Sequence, residues 1–294
     1  MRKQYSAACT VSIRWRAREQ IDPAENGLEL FLRITPDHRG TQGIGRGIAE
    51  AFLDAGASVV ICARRPASHP VVVSGVAADF RACDVRDADA ATHLVKQVAS
   101  DYGRLDVLIN NAGGGPHVDS ASAPSSLTEK LVRLNLLAPF YLSQAAHAVM
   151  SVQDSGGSII NIASVSAVRS SPFSAIYGAS KAGLLNLTES LAMEWGPKIR
   201  VNAIIAGLVA TESSLDHYGG ASGIARVGSM LPLKRMGTPE DIANACLYLA
   251  SPLAAYVSGA RLAVHGGGEK PLFLELAKER GDSKQPSCDD SEHR

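Results

Sequence analysis

The chain has 294 residues, 46% hydrophobic and 20% charged, and its 29 basic and 29 acidic side chains cancel to a formal net charge of zero. That length can bury a sizeable core in one large α/β domain, and the neutral balance leaves no footprint for a nucleic-acid or membrane partner. Five cysteines (Cys9, Cys62, Cys83, Cys246, Cys288) are scattered without a CxxC pair. This argues against a zinc centre and a disulfide framework, so a reducing, cytoplasmic setting and no metal are expected.

Residues 1–27, opening "MRKQYSAACTVSIRWRAR", are arginine-rich and poor in acids. Transit peptides share that bias, but this segment has few serines and no clean amphipathic face, so a disordered extension is expected. "LELFLRIT" from Leu28 is apolar enough for a first strand. Helical and β-branched patterns then alternate: helix "GIGRGIAEAFLDAG", strand "ASVVICA", strand "VSGVAADFRACDV", helix "ADAATHLVKQVASDYG", strand "LDVLINNAG". A helix through "KLVRLNLLAPFYLSQAAHAVM" precedes strand "GSIINIAS", helix "YGASKAGLLNLTESLAMEWG" and strand "KIRVNAIIAG". From Glu212 to Arg235 periodicity is weak and a mobile lid is expected, followed by helix "PEDIANACLYLAS" and strand "RLAVHG". Uniformly apolar strands separated by helices predict a parallel sheet covered on both faces. Right-handed crossovers make it doubly wound, with a ligand crevice at the carboxyl ends of the strands. No apolar run approaches the roughly 18 residues needed to span a bilayer.

The glycines come first among the chemical signals. Gly40-Thr41-Gln42-Gly43-Ile44-Gly45 runs straight into a helix, where glycine admits a phosphate close to the backbone and unpaired N–H groups face it. A plain tight turn would show the same glycines. Arg64 and Arg65 follow the second strand, at the position where an acid would select ribose hydroxyls; guanidinium groups there suit a 2′-phosphate. Two solvated arginines are the blander interpretation. Asp84-Val85 ends a strand where a carboxylate accepts from an adenine amino group, and Asn111, Ala112 and Gly113 end the next, small enough to let a cofactor lie flat. Tyr177 and Lys181, four apart, share a helix face. A neighbouring ammonium would lower a tyrosine that otherwise titrates near 10. Ser164, at a strand end, can donate to a carbonyl oxygen where charge develops.

In combination these stations, from about Gly40 to Gly268, resemble a short-chain dehydrogenase/reductase. "GTQGIG" resembles the latter part of that family's TGxxxGxG loop, "NNAG" its fourth-strand motif, and "YGASK" its YxxxK with Ser164 thirteen residues upstream. The resemblance implies a single Rossmann-like, three-layer αβα domain over residues 28–270, with 271–294 a polar tail. It implies hydride exchange between NADP(H), ahead of NAD(H), and a small-molecule secondary alcohol or ketone. It makes Tyr177 the general acid/base, Lys181 its partner and a ribose ligand, and Asn135 the holder of a proton-relay water. Gly207, Val209 and Thr211 fall in the segment that touches the nicotinamide amide and phosphates, and a homodimer or homotetramer is implied. A different enzyme on the same scaffold, such as an epimerase, would need a second acid–base pair that the sequence does not offer.

The chain departs from the family at three places. Ala206 replaces a proline, His265 replaces an aspartate, and Asp37-His38-Arg39 stands where a hydrophobic strand should end in Thr-Gly. Pro-Asp-His-Arg can be encoded so that a one-base shift reads Leu-Ile-Thr-Gly, so a frame shift before Gly40 is one explanation and a divergent first strand the other. Sequencing the gene distinguishes them. With Arg39 in the loop, cofactor affinity is expected to weaken by about 1 to 3 kcal/mol, and a catalytically weak or inactive cofactor-binding homologue is the alternative function. The segments expected to line the substrate pocket, "GGGPHVDSASAPSS", "SVSAVRSSPFSAI" and "ESSLDHYGGASGIARVGSML", are mixed in polarity and carry no substrate signature.

Overall fold

A computed structural model of the chain describes residues 29–33, 43–66, 68–212, 214 and 218–271. Residues 1–27 and 272–294, with Gly40, Thr41 and Gln42, lie outside the described residues. The first half runs β1 (Glu29–Arg33), α1 (Ile44–Asp54), β2 (Ser58–Ala63), β3 (Val72–Val73), β4 (Val76–Ala77), β5 (Asp79–Ala82), α2 (Ala88–Tyr102) and β6 (Val107–Asn110). Then come α3 (Ser125–Val132), a π-turn (Arg133–Leu137), α4 (Ala138–Met150), β7 (Gly157–Ser164), α5 (Ala175–Trp195) and β8 (Ile199–Ala206). The last elements are α6 (Gly220–Met230), α7 (Pro239–Ala250) and β9 (Arg261–Val264).

Seven strands form one sheet in the order β5-β2-β1-β6-β7-β8-β9, and each neighbouring pair is parallel. The chain winds outward from β1 to β5, then returns to β6 on the other side of β1. That reversal is the switch point, and the crevice outside the carboxyl ends of β1 and β6 is where such sheets bind ligands. Because both faces are covered, alternate residues of one strand enter different cores. Val59 and Ile61 of β2, with Ile109, Ile160 and Ile204, pack against Ile48 and Phe52 of α1 and Ile242 and Leu249 of α7. Val60 and Cys62, with Leu108 and Ile159, pack against Val95 of α2, Leu142 of α4 and Leu191 of α5. This explains strands that read as apolar without alternation.

Two details differ from the sequence expectations. The single strand expected through "VSGVAADFRACDV" is instead an antiparallel pair, β3–β4, followed by β5. Ser74 and Gly75 between them both have positive φ (51° and 83°), the backbone of a two-residue hairpin turn. The segment expected as an aperiodic lid contains the eleven-residue helix α6. β1 fills the first-strand slot over Glu29–Arg33, between β2 and β6; the departure at Asp37-His38-Arg39 lies outside the described residues.

Candidate active site

Two neighbouring strands and two helices converge where β6 and β7 end. β7 delivers Ser164, whose Oγ accepts from the Ser166 N–H at 3.2 Å and caps the 3-10 turn Val165–Ala167. The Ser164 hydroxyl is also hydrogen-bonded to the Tyr177 side chain. One turn along α5, Lys181 is only 2% exposed, and its Nζ donates to the Ile162 carbonyl at 2.8 Å. A buried ammonium is costly without such a partner. Asn135 is fully buried in the π-turn, an irregularity that recurs at functional sites. Its Nδ2 donates to the carbonyls of Gly114 and Leu131, both at 3.0 Å, and its Oδ1 accepts from the Gly114 N–H at 3.0 Å. Gly113 sits where these side chains meet. A β-carbon there would lie 2.7 Å from Lys181 Nζ and 2.8 Å from Asn135 Oδ1, so the missing side chain is what lets them approach. All four expected catalytic residues are thus brought to one place.

The electrostatics differ from expectation at one point. Burial pushes Tyr177 above its ordinary value, and the Ser164 hydrogen bond opposes this only in part. Lowering by Lys181 was expected. The Lys181 ammonium instead donates to Ile162, and desolvation of the phenolate is the larger effect.

On the dinucleotide side, Gly43 precedes α1 with φ 76° and ψ −155°, a backbone region essentially restricted to glycine. Its N–H donates to Glu212 Oε2 at 2.9 Å, so a carboxylate already lies at the N-terminal end of α1. Thr211 packs beside it, with Cγ2 3.3 Å from where a Gly43 β-carbon would be. Ile44 and Gly45 form the first turn of the helix. Val209 is fixed by a parallel bridge to Gly237, and the Gly207 N–H donates to Val264 O at 3.0 Å. Arg64 and Arg65 are exposed after β2. Asp84 is clasped by Arg86, whose Nε reaches Oδ1 at 2.9 Å; this hydrogen bond, with a smaller effect of the Arg64 charge, holds the Asp84 carboxyl below its usual range. Val85 and Ala112 are buried. Asn111 is 4% exposed, and its Nδ2 has no partner among the described residues. An orphaned buried amide, a glycine without room for a β-carbon and a helix N-terminus already holding a carboxylate all fit a dinucleotide lying across the switch point.

Beside Tyr177 lies a cavity of about 180 Å³. Two of the three expected pocket segments reach it, through residues such as Val118 and Phe173, but no described residue of the third does. Leu127, Thr128 and Leu131 of α3 were not anticipated; their spacing of one and four is an amphipathic signal that reads equally well as core. A buried polar chain was missed too. Asn110 Nδ2 donates to Asn161 Oδ1 at 2.9 Å, and Asn161 Nδ2 donates to Thr188 Oγ1 at 2.9 Å, linking β6, β7 and α5 behind the site. The visible signal was an asparagine inside the apolar run "GSIINIAS".

Residues 40–269 match a family model described as enoyl-(acyl carrier protein) reductase. The chain is 35% identical to an L-rhamnose 1-dehydrogenase (NAD(P)(+)) of Azotobacter vinelandii, over 80% of this chain and 94% of that protein. It is 34% identical to a 3alpha-hydroxysteroid dehydrogenase of Mediterraneibacter gnavus, over 77% of this chain and 93% of that protein. Among solved structures, an actinorhodin polyketide ketoreductase variant with NADPH superposes with a TM-score of 0.70 and 31% identity, covering 80% of this chain and 95% of that one. The chain belongs to the short-chain dehydrogenase/reductase family, whose members are nicotinamide-dependent oxidoreductases.

Proposed function

We propose that this chain interconverts a secondary alcohol and a ketone with NADP(H), and that Ser164, Tyr177, Lys181 and Asn135 carry the reaction. The observation that carries this reading is the convergence of Lys181 and Asn135 on Gly113 beside the hydrogen-bonded Ser164–Tyr177 pair. When bound, the dinucleotide supplies or accepts the hydride. In the reducing direction Tyr177 gives its phenolic proton to the carbonyl oxygen, and Ser164 donates a hydrogen bond to that oxygen as charge develops. Lys181, one turn from Tyr177, would favour the phenolate by its charge and hold the ribose, and Asn135, anchored to Gly114, would hold the water through which the proton is replaced. Gly43 to Gly45 with Thr211 would hold the pyrophosphate, Asn111 to Gly113 the adjoining ribose and nicotinamide, and Asp84 the adenine. Arg64 and Arg65 favour a 2′-phosphate and hence NADP(H) over NAD(H). The net conversion is ketone, NADPH and a proton to alcohol and NADP⁺.

The test is ketone-dependent NADPH oxidation by the full chain and by Tyr177→Phe. Loss of about 10²- to 10⁴-fold in kcat with NADPH binding retained is expected; equal rates in the two proteins would reject the assignment. A weakly active homologue is the second reading, favoured by the Glu212 carboxylate at the Gly43 N–H, where the phosphates would bind. A cytoplasmic homodimer or homotetramer completes the proposal, in keeping with the family. No helix among the described residues is long and apolar enough to cross a membrane.

A further inference from the structure

The cavity beside Tyr177 has walls of a consistent chemistry. Val118, Leu127, Leu131, Phe173 and Ile176 present apolar surface to it. The side-chain polar groups besides Tyr177 are the hydroxyls of Ser120, Thr128 and Ser174, and among the described residues no charged, amide or imidazole side chain lines it. Its volume of about 180 Å³ compares with the roughly 150 Å³ that takes one benzene ring in an engineered apolar cavity. Phe173 stands at the rim, 59% exposed, with φ of 60°. A bulky residue with positive φ is an outlier that the surroundings must enforce. Here the Phe173 carbonyl accepts from the Val118 N–H at 2.8 Å, tying the two walls together across the cavity.

We propose that the substrate is an uncharged, mainly apolar ketone or its secondary alcohol, about one ring in size, and that anionic carbonyl compounds and polyhydroxylated sugars are poor substrates. A carboxylate or phosphate entering this cavity would lose its water without meeting a guanidinium or ammonium in the walls. A sugar carries a hydroxyl on nearly every carbon, and three wall hydroxyls cannot satisfy them all. An apolar ring brings no polar group of its own to be paired except its carbonyl, which Tyr177 in the cavity wall can meet. Substituents beyond one ring would leave through the mouth past Phe173. This rests on the reading of Tyr177 as the proton-transfer group.

The experiment compares cyclohexanone, a straight-chain 2-oxo acid and a ketohexose as substrates of the full chain with NADPH. kcat/KM for cyclohexanone is expected to exceed the other two by on the order of 10²-fold, the scale on which unpaired polar groups discriminate. A 2-oxo acid or sugar that equals or exceeds cyclohexanone overturns the proposal. Leu127→Arg, which places a cation in the half-buried wall, is expected to reverse the order toward the 2-oxo acid; an unchanged order overturns the proposal as well. If no carbonyl is turned over, the catalytic reading fails, and cyclohexanone binding to Tyr177→Phe, followed by methyl chemical shifts of Leu127, Leu131 and Ile176, decides separately. Saturable shifts at those methyls uphold the cavity assignment, and their absence rejects it.

Discussion

At the Tyr177 end of the crevice, polar groups are tied to buried backbone: Lys181 to Ile162, and Asn135 to Gly114 and Leu131. At the Gly43 end the exposed Glu212 carboxylate reaches across 169 positions of sequence to the Gly43 N–H. The first arrangement is set by packing, which a single methyl group can upset. The second is set by charge in contact with water, which salt screens and a competing anion can replace. A site of this design would keep its proton-transfer geometry whether or not its phosphate end is engaged.

The sharpest way to break that contrast is Gly113→Ala. The new methyl would lie 2.7 Å from Lys181 Nζ and 2.8 Å from Asn135 Oδ1, so one of them must move. A displacement of this size is expected to lower kcat by about 10²-fold. Single-turnover rates within a few-fold of the parent would show that the buried end is more yielding than its hydrogen bonds indicate.

Phe173→Gly separates strain from function at the cavity rim. Glycine accepts φ of 60° without penalty, so thermal stability should hold or rise, while kcat/KM for cyclohexanone falls about tenfold through loss of the wall. A drop in Tm together with unchanged kinetics would reverse both halves of that statement. Smaller again is Glu212→Gln, which removes a negative charge from the α1 N-terminus. NADPH is expected to bind about two- to five-fold more tightly at low ionic strength, with the difference fading at high salt. Weaker binding at all salt concentrations would mean that Glu212 supports the cofactor instead of competing with it.

The last effect is read by titration. Tyrosinate absorbance of the parent minus Tyr177→Phe should rise only above the ordinary tyrosine range, because burial disfavours the phenolate. The sign follows from desolvation: the neutral form is the favoured one in the folded protein, so protons are held to higher pH. Saturating NADP⁺ should move the same transition downward, since a nearby positive charge favours phenolate. A transition below 10 without NADP⁺ would contradict the burial argument.

Sequence legibility follows the same division. That Ser164, Tyr177 and Lys181 would meet was readable from their spacing on a strand end and a helix face, whereas Asn135 came from the family resemblance and sits in the π-turn. The doubly wound sheet was readable because strands buried on both faces carry continuous apolar runs, as in "SVVICA" and "GSIINIAS". The Glu212–Gly43 contact was not, because nothing in either local pattern encodes a pairing 169 residues apart. Leu127 and Leu131 were missed for a different reason: one helix stripe serves a cavity wall or a core equally well. The direction of the Tyr177 shift needed the degree of burial, which spacing alone does not supply.

The π-turn at Arg133–Leu137 has a consequence for mutagenesis. Asn135 Nδ2 bonds Leu131 O, the carbonyl four residues back that a backbone N–H would claim in a regular helix, and the same amide grips Gly114. Replacing it with aspartate or alanine would therefore undo a helix irregularity and a loop anchor together with any role in proton relay. Activity lost at Asn135 must be divided between those causes by a structural readout, such as amide exchange at Gly114, before it is counted as chemistry.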